Sequence, residues 1–327
     1  MKRITIIGLG LIGSSLGLAL KKAKVEAEIM GHDKEPRVNS KAKKIGAVDK
    51  TDWNLYGAVK EASVVIIATP IMAIKDIMEH VAEWLPENCV VTDTGSTKAH
   101  VMKWAEEYLP KHVHFIGGHP MAGKETQGVD AADADLFTGH TYCLIPGRGA
   151  ASEAVQSMVN LTELVGATPY FIDPVEHDSY VAAVSHLPLV ISTTLVSAMA
   201  NRPSWREISR VAATGFRDVS RLASGDPAMG HDICSTNRDN ILYWVDEYIK
   251  ELISFKNLLN DCEGLETTLA KIKEARDKWL YGVKERGFSE VPSFGEQMSA
   301  MLMGDKLARR SQEIMKRIED KSEKPER

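Results

Sequence analysis

The run Gly117-Gly118-His119-Pro120-Met121-Ala122-Gly123 sets one imidazole between two glycines and a proline. Glycine admits unusual backbone angles and proline fixes φ, so the run predicts a histidine held on a shaped loop rather than inside a helix or strand. The chain opens with a second glycine pattern, Gly8-Leu9-Gly10-Leu11-Ile12-Gly13, which follows an apolar run and precedes helical spacing. That context points to a dinucleotide site. Gly8 permits a tight turn, Gly10 lets backbone approach a pyrophosphate at a helix N-terminus, and Gly13 allows close helix–strand packing. A histidine beside a nicotinamide is a candidate acid–base group for hydride transfer.

Other residues extend this chemistry. Asp33 lies twenty residues past Gly13 at the end of the second predicted strand. A carboxylate there accepts from ribose hydroxyls and repels a 2′-phosphate, favouring NAD over NADP, although Lys34 and Arg37 stand close by. Thr69-Pro70 and Asp93-Thr94-Gly95-Ser96-Thr97-Lys98 follow two later strands, at the edge where such sheets bind ligands. Ser96 suits either a substrate contact or, like Thr97, a helix N-cap; Lys98 reads as a surface charge. Lys124 and Glu125 follow His119 closely enough to line the same site. Asp130, Asp133 and Asp135 read as solvated acids whose spacing matches no metal loop. In the second half, His186-Leu187-Pro188 interrupts a helical pattern, and His186 fits a buried core position as well as a site. Arg217 and Arg221 share a helix face with Asp218 adjacent, a pattern fit for a carboxylate or for a surface ion pair.

The elements that would position these groups are legible. Strands are expected at 3–7, 28–32, 64–68, 90–92, 114–116, 142–145 and 168–172, with helices at 12–24, 74–84, 98–109 and 151–165. This alternation predicts an α/β Rossmann domain with a doubly wound parallel sheet. Past Pro174 the periodicity is helical, at 176–200, 204–213, 216–224, 237–260 and 265–281, while Gly225, Pro227 and Gly230 mark turns. The expected division is therefore a Rossmann domain over 1–173, an all-helical dimerisation and substrate domain over 174–285, and a charged helical extension over 286–327.

With 327 residues the chain accommodates two ordinary domains; 44% hydrophobic and 26% charged residues are normal for a globular protein. A net charge of −5 gives no basic field for nucleic acid. The scattered Cys89, Cys143, Cys234 and Cys262 suggest reduced thiols in a cytoplasmic protein. No signal peptide is read at the N-terminus. The apolar stretch at 181–200 carries Ser185, His186, Pro188, Ser192, Thr193, Thr194 and Ser197. It reads as too polar for a membrane span and better as a helix buried in a core or a subunit interface.

Taken together, GLGLIGSSLGLAL at 8–20, DTGSTK at 93–98, GGHPMAG at 117–123, SHLP at 185–188, GFRDVSRLA at 215–223, and DP at 226–227 followed by Asn237 resemble the prephenate/arogenate dehydrogenase family of tyrosine biosynthesis. The resemblance spans roughly residues 3–281. It implies a Rossmann domain followed by a helical domain that forms a homodimer. It also implies NAD-dependent oxidative decarboxylation of prephenate to 4-hydroxyphenylpyruvate. By that resemblance His119 accepts the substrate hydroxyl proton and Ser96 supports hydroxyl and imidazole. Arg221 binds a carboxylate oriented by Asp218, and His186, Lys124 and Glu125 lie near the substrate. The cofactor falls to Gly8, Gly10, Leu11, Ile12, Gly13, Asp33, Thr69 and Pro70. No metal is needed, because loss of carbon dioxide restores aromaticity. Leu189, Gly230 and Lys124 depart from residue types common in the family near the substrate side chain, which leaves prephenate, arogenate or both as substrates. Inhibition by tyrosine at the active site is left open by the sequence; nucleic acid and membrane are not expected partners.

Two rivals stand beside this reading. A β-hydroxyacid-type dehydrogenase shares the plan but relies on a helical-domain lysine, and no suitable lysine stands between 176 and 236. A non-catalytic NAD-binding regulator would bind NAD without turnover.

Overall fold

In a computed structural model, residues 2–285 are described. Eight strands form one sheet in the order β3-β2-β1-β4-β5-β6-β7-β8. They are β1 (Lys2–Ile7), β2 (Ala27–His32), β3 (Lys50–Thr51), β4 (Val64–Ile67), β5 (Val90–Asp93), β6 (His114–Pro120), β7 (Thr141–Pro146) and β8 (Thr168–Phe171). The crossover helices are α1 (Leu11–Lys22), α2 (Pro36–Lys44), α3 (Leu55–Val59), α4 (Ile71–Val81), α5 (Ala99–Tyr108) and α6 (Ser152–Leu164). Val65, Ile66 and Ile67 are fully buried, as expected of a strand covered on both faces. The sheet is thus a Rossmann sheet over β1–β6, where each pairing is parallel.

Two expectations fail here. The sheet is not parallel throughout, because β7 runs antiparallel to β6 and β8 parallel to β7. The 20-residue connection between β6 and β7 holds only the 3₁₀ turn Val129–Ala131, with no crossover helix, so the chain returns beside the strand it left. Moreover, Gly117–Pro120 is strand, not loop: β6 runs on through the motif, and His119 pairs with Cys143 of β7. A Cβ on Gly118 would lie 2.5 Å from the Asp93 carbonyl oxygen and 2.9 Å from Thr92 Oγ1, so the glycine permits close strand approach rather than a turn. Pro120 closes the strand, where a missing N–H is tolerated.

After β8 every described element is helical. α7 (Pro174–Val181) passes through a π-helical turn, Ala182–His186, into α8 (Leu187–Ala200). Pro188 sits just past that turn, and the wider turn relieves the proline without ending the helix. The continuous helix has 27 residues and a mean hydropathy of 1.6 over its most apolar window, so by length and composition it does pass as a span, contrary to the sequence reading. Only 22% of that window is buried within the chain, so it is not a core helix either. Further helices are α9 (Trp205–Ile208), α10 (Thr214–Ser220), α11 (Pro227–Thr236), α12 (Arg238–Asp261) and α13 (Leu265–Glu285). Helix α11 occupies a stretch read as turns: Asp226 caps it by accepting from Ala228 N at 2.7 Å, Pro227 begins it, and Gly230 lies inside it. By compactness the chain divides into Met1–Ile253 and Ser254–Arg327, and every site residue discussed below belongs to the first unit. The expected extension at 286–327 lies outside the described residues.

Candidate active site

The glycine turn after β1 fits a dinucleotide. Gly8 has φ +90°, and a Cβ there would meet the Ala68 carbonyl oxygen at 2.5 Å. A Cβ on Gly13 would collide with the Gly8 carbonyl oxygen, whereas Gly10 faces open space. Helix α1 begins with no side-chain cap and no acid in its first turn. The N–H groups of Leu11, Ile12 and Gly13 are thus the unpartnered donors of a helix N-terminus, suited to a pyrophosphate. Asp33 follows β2; its Oδ2 accepts from Leu9 N and its Oδ1 from Glu35 N, both at 2.9 Å. Those two bonds orient the half-buried carboxylate and leave lone pairs for ribose hydroxyls. Lys34 and Arg37 are exposed, and Thr69 and Pro70 follow β4 on the same sheet edge.

His119 is buried, 8% exposed. Its Nδ1 lies 2.9 Å from His177 Nε2, and His177 Nδ1 lies 2.8 Å from Asp178 Oδ1. Neither His177 nor Asp178 was found from the sequence; the available signal was the His-Asp pair in the first turns of α7. Asp178 also accepts from Lys98 N at 2.7 Å and Ala99 N at 2.8 Å. The cap of α5 therefore comes from a residue 79 positions away from Ala99, not from Ser96 or Thr97. Thr97 instead bonds Thr236 through their hydroxyls at 2.9 Å. Ser96 is half-buried near the start of α5, but the His119 imidazole bonds His177 and not Ser96. Burial foremost, then the neighbouring His177, Lys98 and His186, hold the His119 pKa well below its ordinary value.

Lys98 is fully buried and ion-paired with the equally buried Asp93, correcting its reading as a surface charge. Asp93 Oδ2 also accepts from Gly95 N at 2.7 Å and Oδ1 from Gly118 N at 3.1 Å. This carboxylate thereby ties β5 to the residue that precedes His119.

His186 is 1% exposed. Asn237 Nδ2 donates to the Asp178 carbonyl at 2.7 Å and to His186 Nδ1 at 3.1 Å. The carbonyl can only accept, so the amide nitrogen is assigned by its partner. His186 Nδ1 is then an acceptor, and Nε2 carries the proton; Nε2 is buried with no partner among the described residues. Burial pushes the His186 pKa down to about 4, against an opposing pull from Asp178. A neutral ring with a buried N–H that no described residue accepts carries an uncompensated donor.

The charged residues behave less as expected. Arg221 is ion-paired with Glu125 rather than with Asp218, which is exposed on α10. Lys124 pairs with Asp133 at 2.8 Å. Asp130 and Asp135 are exposed, as expected of solvated acids, and meet Lys41 at 2.6 Å and Lys22 at 2.5 Å, tying the β6–β7 connection to α2 and α1.

Residues 16–170 match the prephenate dehydrogenase nucleotide-binding domain, and residues 173–274 match the prephenate dehydrogenase dimerization domain. A prephenate dehydrogenase of Bacillus subtilis is 36% identical over 297 residues, 89% of this chain and 78% of that protein. A cyclohexadienyl dehydrogenase of Zymomonas mobilis is 31% identical, covering 84% of this chain and 94% of that protein. A crystal structure of prephenate dehydrogenase from Aquifex aeolicus, in complex with hydroxyphenyl propionate and NAD+, superposes with a TM-score of 0.78 at 28% identity, over 86% of this chain and 98% of that one.

Proposed function

The chain belongs to the prephenate dehydrogenase family, and on that premise we propose that it converts prephenate and NAD to 4-hydroxyphenylpyruvate, carbon dioxide and NADH. The observation that carries this reading is His119, a buried neutral imidazole at the end of β6, on the edge that also holds the α1 turn and Asp33. NAD on that turn supplies the hydride acceptor. Residues 1–173 are then the NAD-binding domain and 174–285 the dimerisation and substrate domain.

As hydride leaves C4 of the substrate, positive charge grows on the carbon that bears the hydroxyl, and the hydroxyl becomes strongly acidic. A weak base suffices there, so a lowered His119 pKa is compatible with accepting that proton. Loss of the ring carboxylate as carbon dioxide returns an electron pair to the ring. The phenolic oxygen recovers the proton from His119, and no net proton is released. Keeping the imidazole neutral also avoids a cation beside the positive nicotinamide. Arg221, exposed and held by Glu125, offers a guanidinium to a substrate carboxylate, and the unpartnered His186 Nε2–H offers a second donor. Ser96, half-buried near the start of α5, is assigned to the substrate hydroxyl on the same reading.

Prephenate is preferred over arogenate here because the Bacillus subtilis relative is named a prephenate dehydrogenase. The protein acts as a cytoplasmic homodimer: Val184, Leu242, Tyr243 and Leu252 leave large apolar area exposed on the matched dimerization segment. Tyrosine, which shares the phenol of the product, is a competing ligand of the same site.

NADH formation with prephenate and with arogenate, each with NAD and NADP, tests the assignment. Turnover with prephenate and NAD is expected, and loss of that turnover in His119→Asn while NAD binding persists. Full turnover in His119→Asn would remove His119 from the chemistry.

A further inference from the structure

We infer that Asp178 and His177 set the tautomer of His119, acting as positioning residues that leave the His119 Nε2 lone pair free for the substrate hydroxyl. The inference rests on the dehydrogenase reading for its consequence, but its geometric part stands apart from activity.

An ionised carboxylate only accepts. Asp178 accepts two backbone N–H groups at the start of α5, from Lys98 and Ala99, which fix its position. Its third contact, His177 Nδ1 at 2.8 Å, must therefore carry a proton. A neutral imidazole protonated at Nδ1 is an acceptor at Nε2. His119 Nδ1, 2.9 Å from that nitrogen, must then be the donor. One proton remains for a neutral His119, and it is spent on Nδ1. His119 Nε2 is left as a lone pair, the only form able to take a hydroxyl proton.

Three features suit this to a fixed device rather than an incidental contact. His177 is 1% exposed and Asp178 2% exposed, so water does not compete for either. The Asp178 backbone carbonyl accepts from Asn237 at 2.7 Å, which pins α7 at this residue. The two rings meet edge-on, at 68° with centroids 5.1 Å apart, which brings His119 Nδ1 against His177 Nε2. When His119 takes the hydroxyl proton, its O–H bond breaks and an Nε2–H bond forms. The resulting imidazolium then donates through His177 towards the Asp178 charge. That arrangement stabilises the protonated state only while it is needed.

The test begins with the unaltered protein, so it does not depend on a variant folding. Long-range ¹⁵N–¹H spectra of histidine-labelled protein, with His119 assigned by its loss in His119→Asn, should show Nδ1 protonated and Nε2 unprotonated at neutral pH. A proton on His119 Nε2, or an imidazolium at His177, overturns the inference. Asp178→Asn should then lower kcat on the order of 10²–10⁴-fold, with KM for NAD held within a few-fold and His119 moved to the opposite tautomer. His177→Gln, whose amide oxygen can still accept from His119 Nδ1, should retain at least tenfold more kcat than His177→Leu. Equal loss in those two variants, or unchanged kcat in Asp178→Asn, overturns it. If the unaltered protein forms no NADH from prephenate or arogenate, the dehydrogenase reading fails, and the tautomer measurement still decides the relay by itself.

Discussion

Replacing Lys98 by methionine keeps most of the unbranched side chain, one heavy atom shorter, and removes its charge from beside Asp93, where both groups are fully buried. Breaking a buried pair by deleting one partner costs about 3–5 kcal/mol, because the remaining charge stays in a medium that cannot solvate it. Asp93 would keep two backbone donors, Gly95 N and Gly118 N, which places the expected loss near the lower end, about 3 kcal/mol. For a cooperative unit of this size each kcal/mol moves Tm by about 2–4 °C, so the melting temperature should fall by about 6–12 °C. Asp93→Asn together with Lys98→Met should recover most of that loss, since neither charge then remains. Lys98 is also one of the neighbours that hold the His119 pKa down. In Lys98→Met the acid limb of the kcat/KM profile should therefore move to higher pH, towards the ordinary histidine range. Urea and thermal melts of the NAD-free protein, with kcat/KM measured against pH, supply both readings. A loss below about 1 kcal/mol, or an acid limb displaced to lower pH, would refute the argument from burial.

Two further outcomes follow from other parts of the molecule. Gly13→Ala should abolish NAD binding or the local fold, because its Cβ collides with the Gly8 carbonyl at the cofactor turn; calorimetry showing native NAD affinity would contradict that. Stability should also decline as pH falls from about 6.5 to about 4. The folded pKa of His186, about 4, lies below its unfolded value, so the unfolded chain takes up the proton first. That window is worth about 3 kcal/mol from His186, with His119 adding in the same direction; a urea midpoint that stays flat across it would be the contrary result.

Much of the sheet was readable because its code is local. Val64–Ile67 is a continuous apolar run, and such a run bounded by turn residues has few alternatives to a doubly covered strand. The conformation of the glycine turn was readable for a similar reason: Gly8, Gly10 and Gly13 lie in one short strand–turn–helix unit, whose order in the chain is its order in space. The GGHPMAG run shows the limit of local reading. Its glycines look like loop formers, yet Gly118 is glycine because the Asp93 backbone lies against it, 25 residues away in sequence. Helix α11 was hidden likewise behind Gly230, although Asp226-Pro227 marked its start.

From sequence alone came the cofactor fold, the helical second half, the family resemblance and His119 as the central imidazole. Each rests on short-range patterns of backbone propensity or on residues close together in the chain. Only the tertiary structure supplied the partners. His177 and Asp178 stand 58 and 59 positions beyond His119, Arg221 found Glu125 rather than Asp218, and Lys98 went inside to meet Asp93. Burial and hydrogen-bond direction are properties of packing between distant segments, and no spacing along the chain encodes them. The choice of which nitrogen of His119 holds the proton is therefore made by the fold, through a carboxylate that the sequence placed on another element.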